Sequence, residues 1–464
     1  MLWANFLHIY QPPTQKEIWV RRIAEESYRK VINGIAEIPR ARVTLNINGI
    51  LCELLDRFGG KDILHGIKKL LQSGNIELTG SAKYHAFLPL LPESEIERQI
   101  KLNEGILDKH FGDLWRKPPH GKQGLPAGRQ GFFTPEMAYS KKVASVAARL
   151  GYKWIIMDEL GFPAHHKYIH DTIYKIKDLN DFSVFFRERA LSFTILSSKG
   201  AGAAPTILRF LGDRLTKNEY VVTAMDGETF GHHRPGLEIL LFDLLNSPEI
   251  TPVTLSEVIT SFEKTEAIEP QNSTWAATKK DMQAGTPYSR WQSEKNEIQK
   301  NQWLLTHLAI EAVNRGQQNL EARELLDRAL HSDQYWWASA RPWWSLEMIE
   351  RGAYELKTVV LKSPQATAEE KAQAEELYKK IIYMGFEWQR SGLVDQISRQ
   401  EDEEVIERLE AKEKFFITKA EYSQMIRVLE EQIQIAVKAQ EYHRAAMIKD
   451  RIRELKEEMA KTSS

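Results

Sequence analysis

Two acidic residues, Glu136 and Asp226, each follow a short apolar run, and this placement suits chemistry that needs a pair of carboxyl groups. The run before Asp226, residues 221–225, is uncharged and partly β-branched, which is typical of a buried parallel strand. Active-site residues of parallel β/α folds lie where such strands end, and a carboxylate there is costly unless a specific group uses it. The pair therefore favours glycoside hydrolysis, the leading reaction of paired carboxylates.

Each of these acids also has an ordinary structural explanation. Glu136 follows Pro135 and could be an acid at a helix N-terminus, a position that the helix dipole favours. Asp226 precedes Gly227, and Asp-Gly is a common turn pair. The buried-strand context of Asp226 favours a functional role over the turn.

Polar and aromatic side chains beside other strand ends are candidates for binding a sugar. They are His8 and Gln11 at the exit of the strand Leu2–Ile9, Tyr84 and His85 after the strand Ile76–Thr79, Asp158 after the strand Trp154–Met157, and Glu228 and His232 after Asp226. A single histidine is more often structural than functional, and Glu228 could be a structural hydrogen-bond acceptor. Because these residues surround the two acids, they are nevertheless predicted to bind substrate.

A metal site has to be weighed because several of these side chains are metal-ligand types. His8, Asp226, His232 and His233 could all donate to a divalent ion. However, no ligand pair is spaced to share one helix face. The sequence therefore predicts no metal and no cofactor.

The first part of the chain, which must position these residues, consists of short apolar runs that alternate with amphipathic segments. This is the pattern of a β/α barrel or partial barrel. From about residue 270 the chain changes to long helical patterns rich in Glu, Lys, Gln and Trp. The sequence predicts four regions. They are a catalytic β/α barrel over 1–265, a helical domain over 266–400 that completes the site, a charged linker over 401–417 and a helical hairpin over 418–464.

Composition narrows the function classes. The chain has 464 residues and a formal net charge of −1, which gives no reason to expect binding to nucleic acid or an anionic membrane. Cys52 is the single cysteine, and neither a signal peptide nor a membrane-spanning run is evident, so we expect a cytoplasmic protein. The glycine-rich segment 121–131 is predicted to be a flexible inserted loop.

Five segments, in this order and at this spacing, resemble the signature regions of glycoside hydrolase family 57. They are residues 7–13, 74–85, 132–138, 221–233 and 331–337. The resemblance covers about 1–400 and implies an incomplete seven-stranded (β/α) barrel followed by helices. It also implies a retaining enzyme acting on α-glucans without a metal, of the α-amylase or 4-α-glucanotransferase type.

The resemblance assigns roles residue by residue. Glu136 matches the family's catalytic nucleophile and Asp226 its general acid/base, while Asp333 and Trp336 fall in the fifth region, which lines the site. Tyr10 departs from the family pattern, because it stands where a second histidine is common. Phe133 likewise stands where tryptophan is common, and both changes bear on subsite preference.

The C-terminal segment, about 420–459, resembles the UVR motif, a helical hairpin through which the excision-repair proteins UvrB and UvrC associate. It implies a protein partner or self-association, and no repair function, because nothing else in the chain resembles a nuclease or helicase. The alternative to an enzyme is a non-catalytic glucan-binding or scaffolding protein that recruits partners through this hairpin. The presence of both acids argues against that alternative.

Overall fold

The structure is a computed structural model that describes residues 1–117, 128–198, 200–315, 319–400, 417–438 and 440–461. Most of the glycine-rich segment 121–131 and nearly all of the predicted linker lie outside the described residues. Among the described residues, no helix is both long and apolar enough to cross a membrane.

The first part of the chain is built on mostly parallel strands, with one antiparallel pair in the second of its two sheets. They are β1 (Leu2–Ile9), β2 (Val43–Ile47), β3 (Ile76–Leu78), β4 (Gly131–Phe133), β5 (Trp154–Asp158), β6 (Ile173–Ile176), β7 (Ser183–Arg187), β8 (Tyr220–Asp226), β9 (Thr251–Val253) and β10 (Thr265–Ile268). One sheet has the order β3-β2-β1-β8 with β9 also paired to β1, and the other has the order β10-β6-β7-β5-β4. The strand β10 crosses the boundary predicted at residue 265.

The two sheets curl towards each other and meet at both edges. A parallel bridge between Gly80 and Phe132 links the end of β3 to β4. On the other side, Glu188 N donates to Val222 O over 2.8 Å and links β7 to β8. The order around the ring is therefore β1-β2-β3-β4-β5-β7-β8, which confirms the predicted incomplete seven-stranded barrel.

Alternation along the strands decides which residues reach the site. Ala4 and Phe6 of β1, with Val222 and Ala224 of β8, belong to one buried apolar cluster inside the barrel. Side chains two residues apart point to the same face of a strand. His8 and Asp226 continue these two inward rows at the carboxyl ends of the strands, where they are direct register partners.

Helices cover the outside of the barrel. They are Glu17–Ile23, Arg29–Ala36, Gly49–Phe58, Lys61–Ser73, Glu93–Phe111, Lys141–Arg149, Arg189–Ser197, Ala204–Leu211 and Leu237–Asn246, while the short helix Leu255–Ile259 adds Leu255 and Val258 to the inner apolar cluster. Between the first two of these, Ala24–Tyr28 forms one turn of π-helix, which we call the π turn. Such turns are rare and occur frequently at functional sites.

The second part of the chain is helical, as its sequence predicts. Its helices are Lys279–Gln283, Glu297–Asn314, Leu320–Ala329, Asp333–Trp337, Leu346–Lys362 and Ala368–Arg390, and residues 393–400 are also helical. The short helix Asp333–Trp337 is joined to the barrel by an antiparallel bridge between Ala86 and His331. This bridge brings the fifth signature segment to the carboxyl ends of the strands.

The C-terminal hairpin consists of Lys419–Lys438 and Tyr442–Lys461. Its apolar seam includes Met425, Leu429 and Leu455, which are each at most 1% exposed. The hairpin does not stand free, because it packs on the barrel beside the loop that follows β8. A Cβ added to Gly202 of the barrel would lie 3.1 Å from the Met425 Cα, which shows how closely the hairpin backbone approaches.

Candidate active site

A cavity of about 550 Å³ opens at the carboxyl ends of the strands. Eight of the residues predicted to form the site line it. They are His8, Gln11, His85, Glu136, Asp226, Glu228, Asp333 and Trp336. The volume is typical of a pocket that encloses a small ligand or part of a longer one.

Glu136 follows β4 in a backbone conformation that is rare for a residue with a side chain. Its φ is 62° and that of Met137 is 47°, both in the left-handed region. Such strained positions concentrate at functional sites. The turn presents the Glu136 carboxyl group to the cavity, where Oε2 accepts a 2.8 Å hydrogen bond from Trp275 Nε1 and Oε1 lies 3.7 Å from His85 Nδ1.

Burial is the main influence on the pKa of Glu136. It raises that pKa to about 8, and the negative charges of Asp226 and Asp333 act in the same direction, while the Trp275 hydrogen bond opposes it. A carboxyl group with its proton held this tightly is unusual on a protein surface and common in active sites.

Asp226 ends β8 and faces the cavity, so its side chain remains in contact with solvent while the walls surround it. This enclosure raises the pKa of Asp226 to about 6, and the nearby Arg187 guanidinium works in the opposite direction. Arg187 donates to Ala224 O over 2.8 Å and is thereby held beside the strand end. Glu136 and Asp226 therefore line one cavity, and the charge of Asp226 contributes to the raised pKa of Glu136.

Glu228 is buried two residues beyond Asp226 and is held by hydrogen bonds to a single oxygen. Its Oε1 accepts from Tyr10 N over 3.1 Å, from Gln11 Nε2 over 3.3 Å and from the Tyr28 hydroxyl in a short contact. Burial first, and then the Asp226 charge, raise the pKa of Glu228 to about 7.

Two stacked histidines form the floor between the acids. His8 Nε2 lies 3.1 Å from His85 Nε2, and the outer nitrogens of the two rings contact Asn46 Oδ1 at 2.8 Å and Ser332 Oγ at 3.0 Å. Burial lowers the pKa of His85 to about 4 and that of His8 well below its ordinary value. Both rings are therefore neutral near pH 7 and act as hydrogen-bonding groups.

Asp333 supplies a fourth carboxyl group from the helical part. Burial alone would raise its pKa, but the hydrogen bond from His331, over 3.1 Å, and the other polar neighbours lower it. Tyr10 donates to Asp333 Oδ2 over 2.6 Å and stacks on His85 at a centroid distance of 4.0 Å. The tyrosine that departs from the family pattern thus connects the barrel wall to the helical part.

Three predicted substrate ligands lie outside the lining of this cavity. Asp158 is fully buried, with its oxygens 2.8 Å from Arg189 Nη1 and 3.3 Å from Arg187 Nη1. Tyr84 lies beneath Lys83, whose Nζ is 4.8 Å from the ring centroid. His232 turns away to Glu26.

The sequence interpretation missed residues that come from other parts of the chain. Trp275 lines the cavity beside Trp337, which the sequence left open as helix core or a sugar-facing wall, and Tyr28 of the π turn holds Glu228 from behind. His233, the neighbour of His232, is the histidine of that pair that lines the cavity. The tryptophan-rich stretch beginning at Trp275 was a usable signal, but nothing in the sequence indicates which of two adjacent histidines points inwards.

Comparison with known proteins decides the family. The model of glycosyl hydrolase family 57 matches residues 7–271, which is more than half of the chain. The chain belongs to this family. A second model, the UvrB/uvrC motif, matches residues 423–458, so both resemblances inferred from the sequence are confirmed.

The curated relatives of this family 57 chain are similar to it over one segment. An alpha-amylase of Pyrococcus horikoshii is 27% identical over 161 residues, which is 34% of this chain and 23% of that protein. Alpha-amylase 1 of Dictyoglomus thermophilum is 24% identical over 157 residues, 34% of this chain and 21% of that protein. The matched segment thus spans less than a quarter of either relative.

Solved structures share the fold over most of the chain. A family 57 branching enzyme from Thermococcus kodakaraensis matches with a TM-score of 0.61 and 15% identity, covering 83% of this chain and 96% of that one. The 4-alpha-glucanotransferase of Thermococcus litoralis matches with a TM-score of 0.58 and 16% identity, covering 77% and 58%. At this identity the likeness establishes the architecture.

Proposed function

We propose that this protein is a retaining enzyme of α-glucans, a hydrolase or transglycosylase, with Glu136 as nucleophile and Asp226 as general acid/base. The observation that carries the proposal is the placement of both acids on one cavity, with the charge of Asp226 raising the pKa of Glu136. Family membership and the alpha-amylase relatives support α-glucans as the substrate class.

The reaction proceeds in two displacements. Glu136 attacks the anomeric carbon and forms a glycosyl-enzyme while Asp226 transfers its proton to the departing glycosidic oxygen. Asp226, now ionised, removes a proton from water or from an acceptor sugar hydroxyl, and that oxygen then displaces Glu136. Retention of configuration follows from the two inversions.

Ionisation of the pair sets a condition on this division of roles, because the proton rests on the acid with the higher pKa, Glu136, and has to move to Asp226. With pKa values of about 8 for Glu136 and about 6 for Asp226, the two acids share one proton at neutral pH. The working form carries that proton on Asp226. The positive charge that develops on the sugar in the transition state aids this move, because it stabilises the Glu136 carboxylate that the Trp275 N–H contacts.

Sugar binding is assigned to the walls of the cavity. Trp275, Trp336 and Trp337 offer aromatic faces of the kind that stack on sugar rings, and His8 and His85 offer neutral hydrogen-bonding groups. Asp333 stays ionised in the same cavity and accepts hydrogen bonds from hydroxyl groups. We therefore propose substrate contacts for the predicted residues that line the cavity, and none for Asp158, Tyr84 or His232.

The cellular setting and the partners are also proposals. Cys52 is a buried free thiol, which suits a reducing compartment, and we propose the cytoplasm on that basis. The UvrB/uvrC match supports a protein contact or self-association through residues 420–459.

The test is incubation of the purified protein with maltoheptaose, followed by chromatography of the products, beside the variant Glu136→Gln. Shorter sugars alone identify a hydrolase, whereas shorter and longer sugars together identify a glucanotransferase. NMR of the first product formed reports its anomeric configuration, and an inverted product contradicts the double displacement. Turnover in Glu136→Gln equal to the wild type contradicts the assignment of the nucleophile.

A further inference from the structure

We infer that the C-terminal hairpin is a positioning element of the active site. Two of its residues, Glu441 and Arg444, contact the two structures that hold the loop following Asp226. These structures are the helix that continues the π turn, at the start of the loop, and Glu238, at its end. This loop, residues 227–236, we call the acid loop. The inference rests on the proposed role of Asp226, which immediately precedes the loop.

The π turn grips the beginning of the acid loop. Ser27 Oγ donates to Gly227 O over 2.9 Å, and the Tyr28 hydroxyl donates to Glu228 in a short contact. Both bonds are buried, and both fall within two residues of Asp226. A shift of the π turn would therefore move the backbone from which the Asp226 side chain is presented.

Two further contacts extend this grip along the loop. His232 Nδ1 lies 2.6 Å from Glu26 Oε2. At Gly231 the chain runs so close to the π turn that an added Cβ would lie 2.2 Å from the Glu26 carbonyl oxygen. The acid loop and the π turn thus move together.

The end of the acid loop is tied to the hairpin through one carboxylate. Glu238 Oε2 accepts from Gly236 N over 2.8 Å, and its other oxygen, Oε1, accepts from Arg444 Nη2 over 2.7 Å. The side chain of Glu238 is 3% exposed and that of Arg444 is 10% exposed. Hydrogen bonds between charged groups in such enclosed positions are strong and directional.

The same corner of the hairpin also reaches the helix that continues the π turn. Lys30 Nζ lies 3.1 Å from Glu441 Oε2, and that oxygen is 2.9 Å from Arg444 Nη1. Glu441 and Arg444 therefore connect the support at the start of the acid loop to the support at its end.

The hairpin also lies against the middle of the loop. His233 borders the catalytic cavity on one side and, on the other, a groove of about 300 Å³ that Met447, Asp450 and Arg451 of the second hairpin helix help to form. One residue of the acid loop thus separates the hairpin from the cavity. Because catalysis depends on placement within about 1 Å, this clamp positions Asp226 for proton transfer.

The test compares two substrates that differ in their need for an acid. Cleavage of maltoheptaose needs protonation of the departing oxygen, whereas α-maltosyl fluoride loses fluoride without it. In the full-length protein, Arg444→Ala is expected to lower kcat/KM for maltoheptaose about tenfold and that for the fluoride by no more than about twofold. Lys30→Met, which keeps the apolar stem of a partly exposed side chain, is expected to act in the same direction and more weakly.

Arg453→Ala is the matched control, because Arg453 lies on the same helix, is 69% exposed and pairs with Asp450 at 3.1 Å. It is expected to leave both rates unchanged. Equal losses for the two substrates in Arg444→Ala and in Lys30→Met, or rates like those of Arg453→Ala, overturn the inference. A wild-type protein that turns over neither substrate overturns the proposed function and, with it, this inference.

Discussion

Glu136 of the catalytic cavity and Glu421 of the hairpin have side chains that are 17% and 10% exposed, but the two carboxyl groups have opposite surroundings. In the cavity, Glu136 is contacted by the Trp275 N–H and by a neutral histidine, and burial raises its pKa to about 8. Under the hairpin, burial also opposes ionisation of Glu421, but hydrogen bonds from Arg209 and Thr418 outweigh it and lower the pKa to about 2.

The difference shows that the partner of a buried carboxylate, and not its burial, decides its use. A carboxyl group without a cationic partner keeps a proton available for chemistry, whereas one bound by arginine is a fixed anion that holds elements together. Asp158 belongs to the second class although it ends a barrel strand as Asp226 does, because two arginines bind it. A strand-end position alone therefore does not identify a catalytic acid.

The largest expected effect on catalysis comes from Asp226→Asn, which is compared below with the same change at the other strand-end acid, Asp158. Asp226→Asn is expected to lower kcat/KM for maltoheptaose about 10²–10⁴-fold, because the departing oxygen loses its proton donor. Its melting temperature should stay the same or rise, since the amide no longer has to be held as an enclosed acid.

Asp158→Asn is the matched comparison and should mainly affect stability. Removing its charge leaves the buried Arg187 and the half-buried Arg189 without this counter-ion, so the free energy of unfolding is expected to fall by about 3 kcal/mol. Thermal melting and kinetics of both variants check the comparison. If Asp226→Asn lowers the melting temperature as Asp158→Asn does and retains turnover, the distinction between the two classes is wrong.

A smaller effect is the pH dependence of the wild-type enzyme. With pKa values of about 6 and about 8, the cavity pair carries two protons below the first value, one between them and none above the second. Because the mechanism uses the singly protonated pair, kcat/KM should be bell-shaped with its plateau between pH 6 and 8. Measurement from pH 4 to 10 checks this, and a profile that is flat across both limbs contradicts the shared proton.

Much of the barrel could be predicted because its signals are local. The bounds predicted for Leu2–Ile9 are those in the structure, and those predicted for Ile76–Thr79 and Trp154–Met157 differ from it by one residue, since short runs rich in apolar residues identify buried parallel strands. The strand-end positions of His8, Glu136 and Asp226 follow from the same runs, and the family resemblance added the catalytic roles of the two acids and the residues Asp333 and Trp336.

What could not be predicted depends on long-range packing. The hydrogen bond from Trp275 to Glu136 joins residues 139 positions apart, and that from Tyr28 to Glu228 joins residues 200 apart. The π turn has no sequence signature that distinguishes it from the α-helices beside it. The pairing of Asp158 with arginine depends on the pairing of β5 with β7, which brings Arg187 beside Asp158.

The smallest expected effect on catalysis comes from replacing Glu421, the hairpin carboxylate that Arg209 binds. Because its pKa is lowered from 4.5 to about 2, ionised Glu421 stabilises the folded state fully above pH 4.5, and this contribution is lost as the pH falls towards 2. Glu421→Gln is therefore expected to weaken hairpin docking by about 1–2 kcal/mol at pH 7 and by progressively less in acid.

Amide hydrogen exchange in the two hairpin helices measures this loss, and kcat/KM should change by no more than about twofold. The reason is that Glu421 contacts Thr206 and Arg209 on the helix Ala204–Leu211, away from the acid loop. Glu430→Gln, an exposed glutamate paired with Lys456 at 3.2 Å, is the control and should change neither quantity. A loss of turnover in Glu421→Gln as large as that in Asp226→Asn would show that the two kinds of buried carboxylate do not separate into chemistry and structure.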